Sequence, residues 1–217
     1  MTSGVDHHEL VVVPLEQNEH TNSRRLAGAP ICSVGIYLGW GTPVTVIRCT
    51  AKLLKLLSGS PGSPTTSSLE PGDDDWYANL LWLDRRKCLL MTQAATLFSL
   101  FEPEIVKASI NPFGAMAVSL VERELASEEL APNTFGPLQA TAFLVGRTCN
   151  RSVLGTMTDI RYQIEWAVDQ SGGLRNTDIG QLNRWLRRIP FGAISYERPI
   201  DRARAQTNTA PARSTRR

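Results

Sequence analysis

The chain has 217 residues, enough for one domain with a hydrophobic core and too few for two large ones. Its 42% hydrophobic and 20% charged residues lie slightly below the averages of globular proteins, and no apolar run approaches the roughly 20 residues of a membrane span. We therefore expect part of the chain to lie outside the core, in a cytoplasmic protein with neither a membrane span nor a secretory signal. The net charge of +2 is unevenly distributed: residues 1–43 carry −2, residues 44–200 are balanced, and residues 201–217, with five Arg against one Asp, carry +4.

The first third of the chain predicts an extension, a strand, a helix and a loop. Residues 1–43 are mostly polar or interrupted by glycines, so we predict a poorly ordered N-terminal extension. A strand over residues 44–48 then leads into a helix over 51–57 that Thr50 caps. Residues 58–75 are rich in Ser, Pro and Gly and predict a flexible loop. Its acidic end, Asp73 to Asp75, is interpreted as solvated rather than as a metal site.

A β-hairpin is the clearest prediction in the middle of the chain. Residues 76–83 and 87–92 are strand-like apolar runs, and the polar residues 84–86 between them form the turn. We predict a third strand over residues 96–101, a helix from Pro112 to about Leu125, and a further strand over 140–145.

Two helices follow in the last third. Ser152 is the predicted N-cap of a helix over residues 153–170, where apolar residues recur at helical spacing. The last helix begins near Thr177, and Arg187 and Arg188 complement its dipole before Pro190. These elements predict an α+β fold: a small mixed or antiparallel sheet with a β-hairpin, packed against three to four helices. The predicted single domain spans residues 44–200, and residues 201–217 form a basic disordered tail.

Histidine and cysteine positions argue against several classes of site. All three histidines lie within residues 1–20, so the predicted domain contains none, which argues against Ser-His-Asp and Cys-His hydrolases and against histidine-ligated metals. The four cysteines include no C-x-x-C pair, so a structural zinc site and disulfides are not expected. Cys49 and Cys88 are interpreted as core residues, and Cys149 is the one that a polar setting leaves open to reaction.

Several short motifs follow one another in a specific order from residue 47 onward. They are residues 47–50 (IRCT) with Lys52 and Leu53, 76–80 (WYANL), 84–88 (DRRKC), 96–99 (TLFS), Thr148, and 150–155 (NRSVLG) with Met157 and Asp159. In this order they resemble the bacterial family catalogued as domain of unknown function 6933, over roughly residues 44–200. One departure is Thr158, which stands where Asn is expected. The family carries no established activity, so the resemblance implies a domain boundary and no chemistry.

The strongest candidate site is an anion site at the start of the helix that follows residue 150. A helix N-terminus presents unpaired N–H groups and a partial positive charge, and arginines beside it can hold a phosphate or carboxylate by paired hydrogen bonds. Gly155 would let a ligand come close. The competing interpretation is structural, with a serine cap and with arginines paired to Asp84 or Asp159. The residues assigned to this site are Arg147, Asn150, Arg151, Ser152 and Gly155.

Accessory residues are weaker candidates. They are Arg48, Lys52, Asn79, Asp84, Arg85 and Asp159. The basic turn around Arg85 is more simply a solvated turn. Asn79 lies in an apolar run and must be hydrogen-bonded, either to fix a loop or to line a pocket. The tryptophans offer stacking surfaces, but we interpret Trp76, Trp82, Trp166 and Trp185 as core residues.

Three functions remain open at this stage. The first is a binding module that accepts an anion: nucleic acid, a nucleotide or an acidic protein partner. The second is a phosphoryl-transfer or nuclease-like enzyme that uses Asp84 or Asp159 with Lys52 and the arginines. The third is a purely structural protein-interaction domain. No cofactor, metal or membrane partner is expected.

Overall fold

The computed structural model describes residues 37–38, 42–43, 45–57, 70–106, 108–110, 112–136, 138 and 143–209. The strands are β1 Tyr37–Leu38, β2 Thr42–Pro43, β3 Thr45–Cys49, β4 Trp76–Leu83, β5 Arg86–Gln93, β6 Ser99–Glu102 and β7 Phe143–Arg147. The helices are α1 Ala51–Leu57, α2 Phe113–Ser127, α3 Arg151–Gln170, α4 Ile179–Leu186 and α5 Pro199–Thr209. Two short 3₁₀ helices span Leu174–Asn176 and Gly192–Ile194. None of the helices in these ranges is long and apolar enough to cross a bilayer.

Five strands form one mixed sheet in the order β6-β5-β4-β3-β7. Strands β4, β5 and β6 are antiparallel neighbours, whereas β3 runs parallel to both β4 and β7. This sheet and its helices confirm the predicted α+β class, with five α-helices in the described ranges where the sequence indicated three or four. Strands β1 and β2 form a separate antiparallel pair, within the segment predicted as an extension.

Both faces of the sheet are buried under helices. One face packs against α1, α2 and α5, through residues such as Leu53, Val121 and Ile200. The other packs against α3 and α4, through residues such as Ile160 and Leu182. Because successive strand side chains point to opposite faces, strands covered on both sides carry long apolar runs. That arrangement explains why residues 76–83 lack a polar alternation.

The β4–β5 hairpin forms where the sequence predicts it, with a tighter turn. Asp84 and Arg85 occupy the turn with φ of 47° and 61°, and Arg86 already belongs to β5. Two central residues at positive φ match the twist of the flanking strands. The Asp84 carboxylate accepts a hydrogen bond of 2.6 Å from the Leu174 N–H, which fixes the turn against the chain that follows α3.

The start of β6 differs from the prediction. Strand β6 begins at Ser99 rather than at residue 96, because the Gln93 side-chain carbonyl accepts bonds from the Thr96 N–H (2.7 Å) and hydroxyl (2.8 Å) and turns the chain. Leu97, at φ 58°, belongs to the same turn. Strand β7 is described from Phe143, and the predicted residues 140–142 lie outside the described part. The N-cap of α2 is Pro112, which the sequence predicts as the first residue of the helix.

The end of the folded region also differs. Helix α5 runs from Pro199 to Thr209, beyond the boundary at 200, and its Ile200 and Ala203 are buried. Within the predicted loop 58–75, residues 58–69 lie outside the described part, while Asp75 is buried rather than solvated. Cys49 and Cys88 are free and buried as expected, and Cys149 is free and exposed.

Candidate functional site

The candidate site lies where two parallel strands end and their helices part. Strands β3 and β7 are adjacent and parallel, with Cys49 opposite Arg147 at their carboxyl ends. Helix α1, which follows β3, covers one face of the sheet, and helix α3, which follows β7, covers the other. In sheets with parallel strands, such a switch point opens a crevice at the carboxyl ends, and ligands commonly bind there.

Two arginines flank the loop that joins β7 to α3. Arg147 is the last residue of the strand and Arg151 the first of the helix, and both side chains are exposed. Neither forms an ion pair with any residue that the structure describes, and neither meets Asp84 or Asp159. The site therefore presents to solvent two positive charges that no described carboxylate compensates.

The N-cap of α3 is Asn150, not Ser152 as the sequence suggested. The Asn150 side-chain oxygen accepts from the Ser152 N–H (3.0 Å) and the Val153 N–H (3.3 Å). These two N–H groups are thereby engaged, so an anion here would be held mainly by the arginine side chains. Ser152 is exposed, and the space beside Gly155 is open, with no atom within 4 Å of where a Cβ would stand.

Arg48 forms the buried base of the site. It pairs with the Asp75 carboxylate and donates to the Glu70 carbonyl (2.7 Å) and to the Arg147 carbonyl (3.4 Å). Burial works against the charge of this guanidinium, but the hydrogen bond and the charge of Asp75 outweigh it and raise the pKa of Arg48. Arg48 thus fastens the 70–75 segment and the end of β7 together, instead of facing solvent.

Tyr77 and Cys149 meet beside this arginine. The Tyr77 hydroxyl lies 3.8 Å from the Cys149 sulfur. Burial raises the pKa of Tyr77, and its contact with Cys149 adds to the rise, so the hydroxyl stays protonated at neutral pH. Cys149 is exposed on the loop that joins β7 to α3.

The β3–α1 side of the crevice contributes Lys52 and Asn79. Lys52 is exposed in the first turn of α1. The Asn79 side-chain oxygen accepts a 3.0 Å bond from the Thr50 hydroxyl, and the Thr50 N–H donates to the Ala78 carbonyl at 3.0 Å. Asn79 therefore fixes the loop that begins α1, which was one of the two roles that its apolar setting predicts.

The comparison with protein families matches residues 46–202 to the family described as "Domain of unknown function (DUF6933)". The chain belongs to this family. The match begins in β3, ends within α5 and includes every candidate site residue. No curated protein and no solved structure matches the chain.

The remaining accessory residues lie away from the crevice. The Asp84 carboxylate accepts a hydrogen bond from Leu174, which follows the C-terminal end of α3. The 20 residues of this helix span about 30 Å, so Asp84 lies far from the arginines at its N-terminal end. Arg85 is exposed in the hairpin turn, and Asp159 is exposed in the middle of α3. Among the described residues, no three His, Cys, Asp or Glu side chains are grouped as a metal ion would require.

The sequence interpretation of the tryptophans is wrong for three of the four positions. Trp76 is buried, but Trp82, Trp166 and Trp185 expose 58%, 57% and 37% of their surface. A signal for Trp166 was present: it lies off the apolar stripe of α3 that Ile160, Ile164 and Val168 define. The rings of Trp166 and Trp185 lie 6.0 Å apart and make an exposed aromatic pair between α3 and α4.

Proposed function

We propose that this protein is a binding module that accepts an anionic group of the phosphate type at the switch point between β3 and β7. Arg147 and Arg151 bind the anion, and Lys52 and the Ser152 hydroxyl add a charge and a hydrogen bond from the rim. The observation that carries the proposal is the pair of exposed arginines without ion-pair partners in the described part of the chain, at the crevice where this topology favours ligands.

The chemistry favours phosphate over a single carboxylate. A guanidinium offers its N–H groups as a planar fork that matches two oxygens of one anion, and phosphate has enough oxygens for two forks. Two exposed arginines that flank one short loop also repel each other, and a doubly charged anion relieves that repulsion. Because both side chains are exposed, the attraction is screened by salt.

The other two functions have less support. The enzyme alternative needs a carboxylate beside the basic residues, but Asp84 is held by Leu174 at the opposite end of α3, and Asp159 lies eight residues along α3 from Arg151. The interaction-domain alternative has support from the exposed aromatic pair, which is a separate surface from the crevice.

The test is a calorimetric titration of the full chain with inorganic phosphate and with pyrophosphate at low salt. The background replaces Arg213, Arg216 and Arg217 by Gln, so that the basic C-terminal sequence does not contribute. We expect Arg147→Ala and Arg151→Ala each to weaken pyrophosphate binding about tenfold or more, the value of one charge-assisted hydrogen bond. The melting temperature should stay within a few degrees, because neither side chain has a described partner to lose.

Arg204→Ala is the matched control, since Arg204 is exposed on α5, on the opposite face of the sheet. Equal weakening by Arg204→Ala would mean diffuse attraction rather than a site. Unfolding of Arg151→Ala would assign this arginine to the fold, and the proposal would be rejected.

A further inference from the structure

The exposed face of α3 joins the anion site to an aromatic surface. Five exposed residues follow one another at spacings of three or four along this helix. They begin beside the crevice and end one turn before the helix terminus. The first and the last are fifteen positions apart along the helix, a distance of about 23 Å. The residues of this α3 stripe are Arg151, Gly155, Thr158, Tyr162 and Trp166.

The far end of the α3 stripe is aromatic and uncovered. Tyr162 and Trp166 expose 56% and 57% of their surface, and Trp185 from α4 lies against Trp166 with an angle of 36° between the rings. Large apolar side chains grouped at the surface mark binding surfaces more often than scattered single ones do. The exposed parts of these three rings are suited to a ligand that is itself flat.

Charge is unevenly distributed along the stripe. The Arg147 and Arg151 end is positive, and the Arg161 guanidinium lies 4.9 Å from the centre of the Tyr162 ring. Arg161 also pairs with Glu165 at 3.2 Å, although the geometry leaves its Nε–H without a hydrogen bond. Asp159 lies beside the stripe, and Asp169, three residues after Trp166, continues the same row at its far end. A ligand with negative charge along its whole length is therefore attracted only at the arginine end of the stripe.

We propose that the α3 stripe binds single-stranded nucleic acid. A backbone phosphate binds at Arg147 and Arg151, and bases of the same strand stack on Tyr162, Trp166 and Trp185. This ligand carries both chemistries that the surface offers: anionic groups for the arginines and flat rings for the exposed aromatic faces. Duplex DNA or RNA hides its base faces and would bring further phosphates against the two aspartates. The proposal rests on the proposed function, because the phosphate contact is the same site.

The length of the stripe sets the size of the ligand. About 23 Å corresponds to about four nucleotides of an extended strand, the lower end of the site sizes known for single-strand binding domains. Base stacking on an aromatic side chain tolerates every base, so we expect little sequence preference.

The experiment measures fluorescence anisotropy of a labelled oligo(dT) of about twelve nucleotides and of the matching duplex, at about 50 and 200 mM salt. The protein is the full chain in the background that lacks the three C-terminal arginines. We expect Trp166→Ala to weaken single-strand binding about tenfold and Trp166→Phe to restore part of it, because a smaller ring still stacks. Arg151→Ala should weaken both oligonucleotide and pyrophosphate binding, whereas Trp166→Ala should leave pyrophosphate binding unchanged.

Trp82→Ala is the matched control. Trp82 is as exposed as Trp166 and has a cation beside it, with Lys87 5.7 Å from its ring, but it lies on the β4–β5 hairpin. If Trp82→Ala weakens oligonucleotide binding as much as Trp166→Ala does, the α3 stripe is not the surface that binds.

The remaining outcomes separate this inference from the proposed function. Pyrophosphate binding that depends on Arg151, together with equal binding of the oligonucleotide by wild type and Trp166→Ala, would reject the nucleic-acid surface and keep the anion site. If wild type binds neither pyrophosphate nor the oligonucleotide, the anion site and the nucleic-acid surface are both rejected. Self-association in sedimentation that Trp166→Ala abolishes, without oligonucleotide binding, would show that a second copy covers the stripe and would also overturn the inference.

Discussion

At the residue scale, Arg187 links the two helical layers of the protein. Its side chain is wholly buried, and its guanidinium donates to Glu124 (2.8 Å) and Glu128 (3.0 Å), which belong to α2 and its C-cap. The same group lies 4.8 Å from the centre of the Phe98 ring. A second arginine, Arg188, bonds to Glu128 at 2.7 Å. The sequence predicts only that these arginines complement the dipole of α4, because nothing local reveals acidic partners about 60 residues away.

Glu128 gives this cluster a pH dependence. Burial disfavours its charge, but the hydrogen bond from Arg188 and the charge of Arg187 outweigh burial and lower the pKa of Glu128. A carboxyl group whose pKa is lower in the folded state favours folding above its unfolded pKa of about 4.3, and this contribution is lost as the pH falls through the folded pKa. We expect Glu128→Gln to lower the free energy of unfolding at pH 7 by about 3 kcal/mol, since it leaves two arginines short of a charge.

Urea denaturation at pH 7 and at a series of lower pH values checks this expectation, because the difference between the two proteins should shrink as the pH falls from about 4.3 through the lower folded pKa of Glu128. Glu129→Gln is the control: Glu129 is the exposed neighbour and should change the free energy of unfolding by less than about 0.5 kcal/mol. A difference between wild type and Glu128→Gln that stays constant as the pH falls would contradict the assigned role.

At the scale of elements, prediction succeeds where the deciding contacts are local. The β4–β5 hairpin depends on two adjacent apolar runs and the turn between them, all of which the sequence displays. The N-cap of α3 was missed by two residues, because Asn150 and Ser152 are both favourable cap residues and only the backbone shows which one is extended. The pairing of β3 with β7 could not be predicted, since strands about a hundred residues apart carry no signal of their partner. The switch point, and with it the geometry of the candidate site, follows from that pairing.

Two glycines in helices separate the effect of side-chain packing on stability from the effect of helix propensity. Gly114, in the first turn of α2, is buried so tightly that a Cβ would overlap the Phe143 ring on β7, whereas Gly155 on α3 faces open space. Alanine is the better helix former at both positions, by up to about 1 kcal/mol. We expect Gly155→Ala to gain about 0.5–1 kcal/mol and Gly114→Ala to lose about 1–3 kcal/mol, because overpacking exceeds the propensity gain.

Thermal denaturation of the two variants measures these opposite signs in one experiment. A gain of stability in both variants would show that the Phe143 ring can move aside for an alanine at position 114 without loss of stability. In that case the packing described for Phe143 would not limit residue 114.

At the scale of the whole molecule, the two helical layers close around a single sheet. The composition and the order of elements are sufficient to predict the α+β class, but they do not reveal that helices cover both faces. The C-terminal boundary of the domain could not be predicted from composition either. The basic composition after residue 200 resembles that of a solvated tail, yet Ile200 and Ala203 are buried in the layer of α1 and α2. Two apolar side chains in an otherwise polar helix are too weak a periodic signal to predict this packing.

Helix α5 is therefore expected to contribute to the stability of the whole domain. Ile200 is 1% exposed, Arg202 donates to the Ala95 carbonyl at 3.1 Å, and the Thr207 hydroxyl lies 3.0 Å from that of Thr134. We expect Ile200→Ala to lower the free energy of unfolding by about 2–4 kcal/mol, through lost burial and the cavity left behind. Arg204→Ala, on the exposed side of the same helix, should change it by less than about 0.5 kcal/mol.

Chemical denaturation measures the free energy of unfolding of both variants. Hydrogen exchange of the β5 amides tests whether the effect extends beyond α5. If α5 is part of the cooperative unit, Ile200→Ala should speed exchange in β5 on the far side of the buried layer, because those amides open only with the domain. Unchanged β5 exchange together with local fraying of α5 would mean that the helix docks onto a domain already stable without it. The cooperative unit would then end near residue 200, as the composition of the chain suggests.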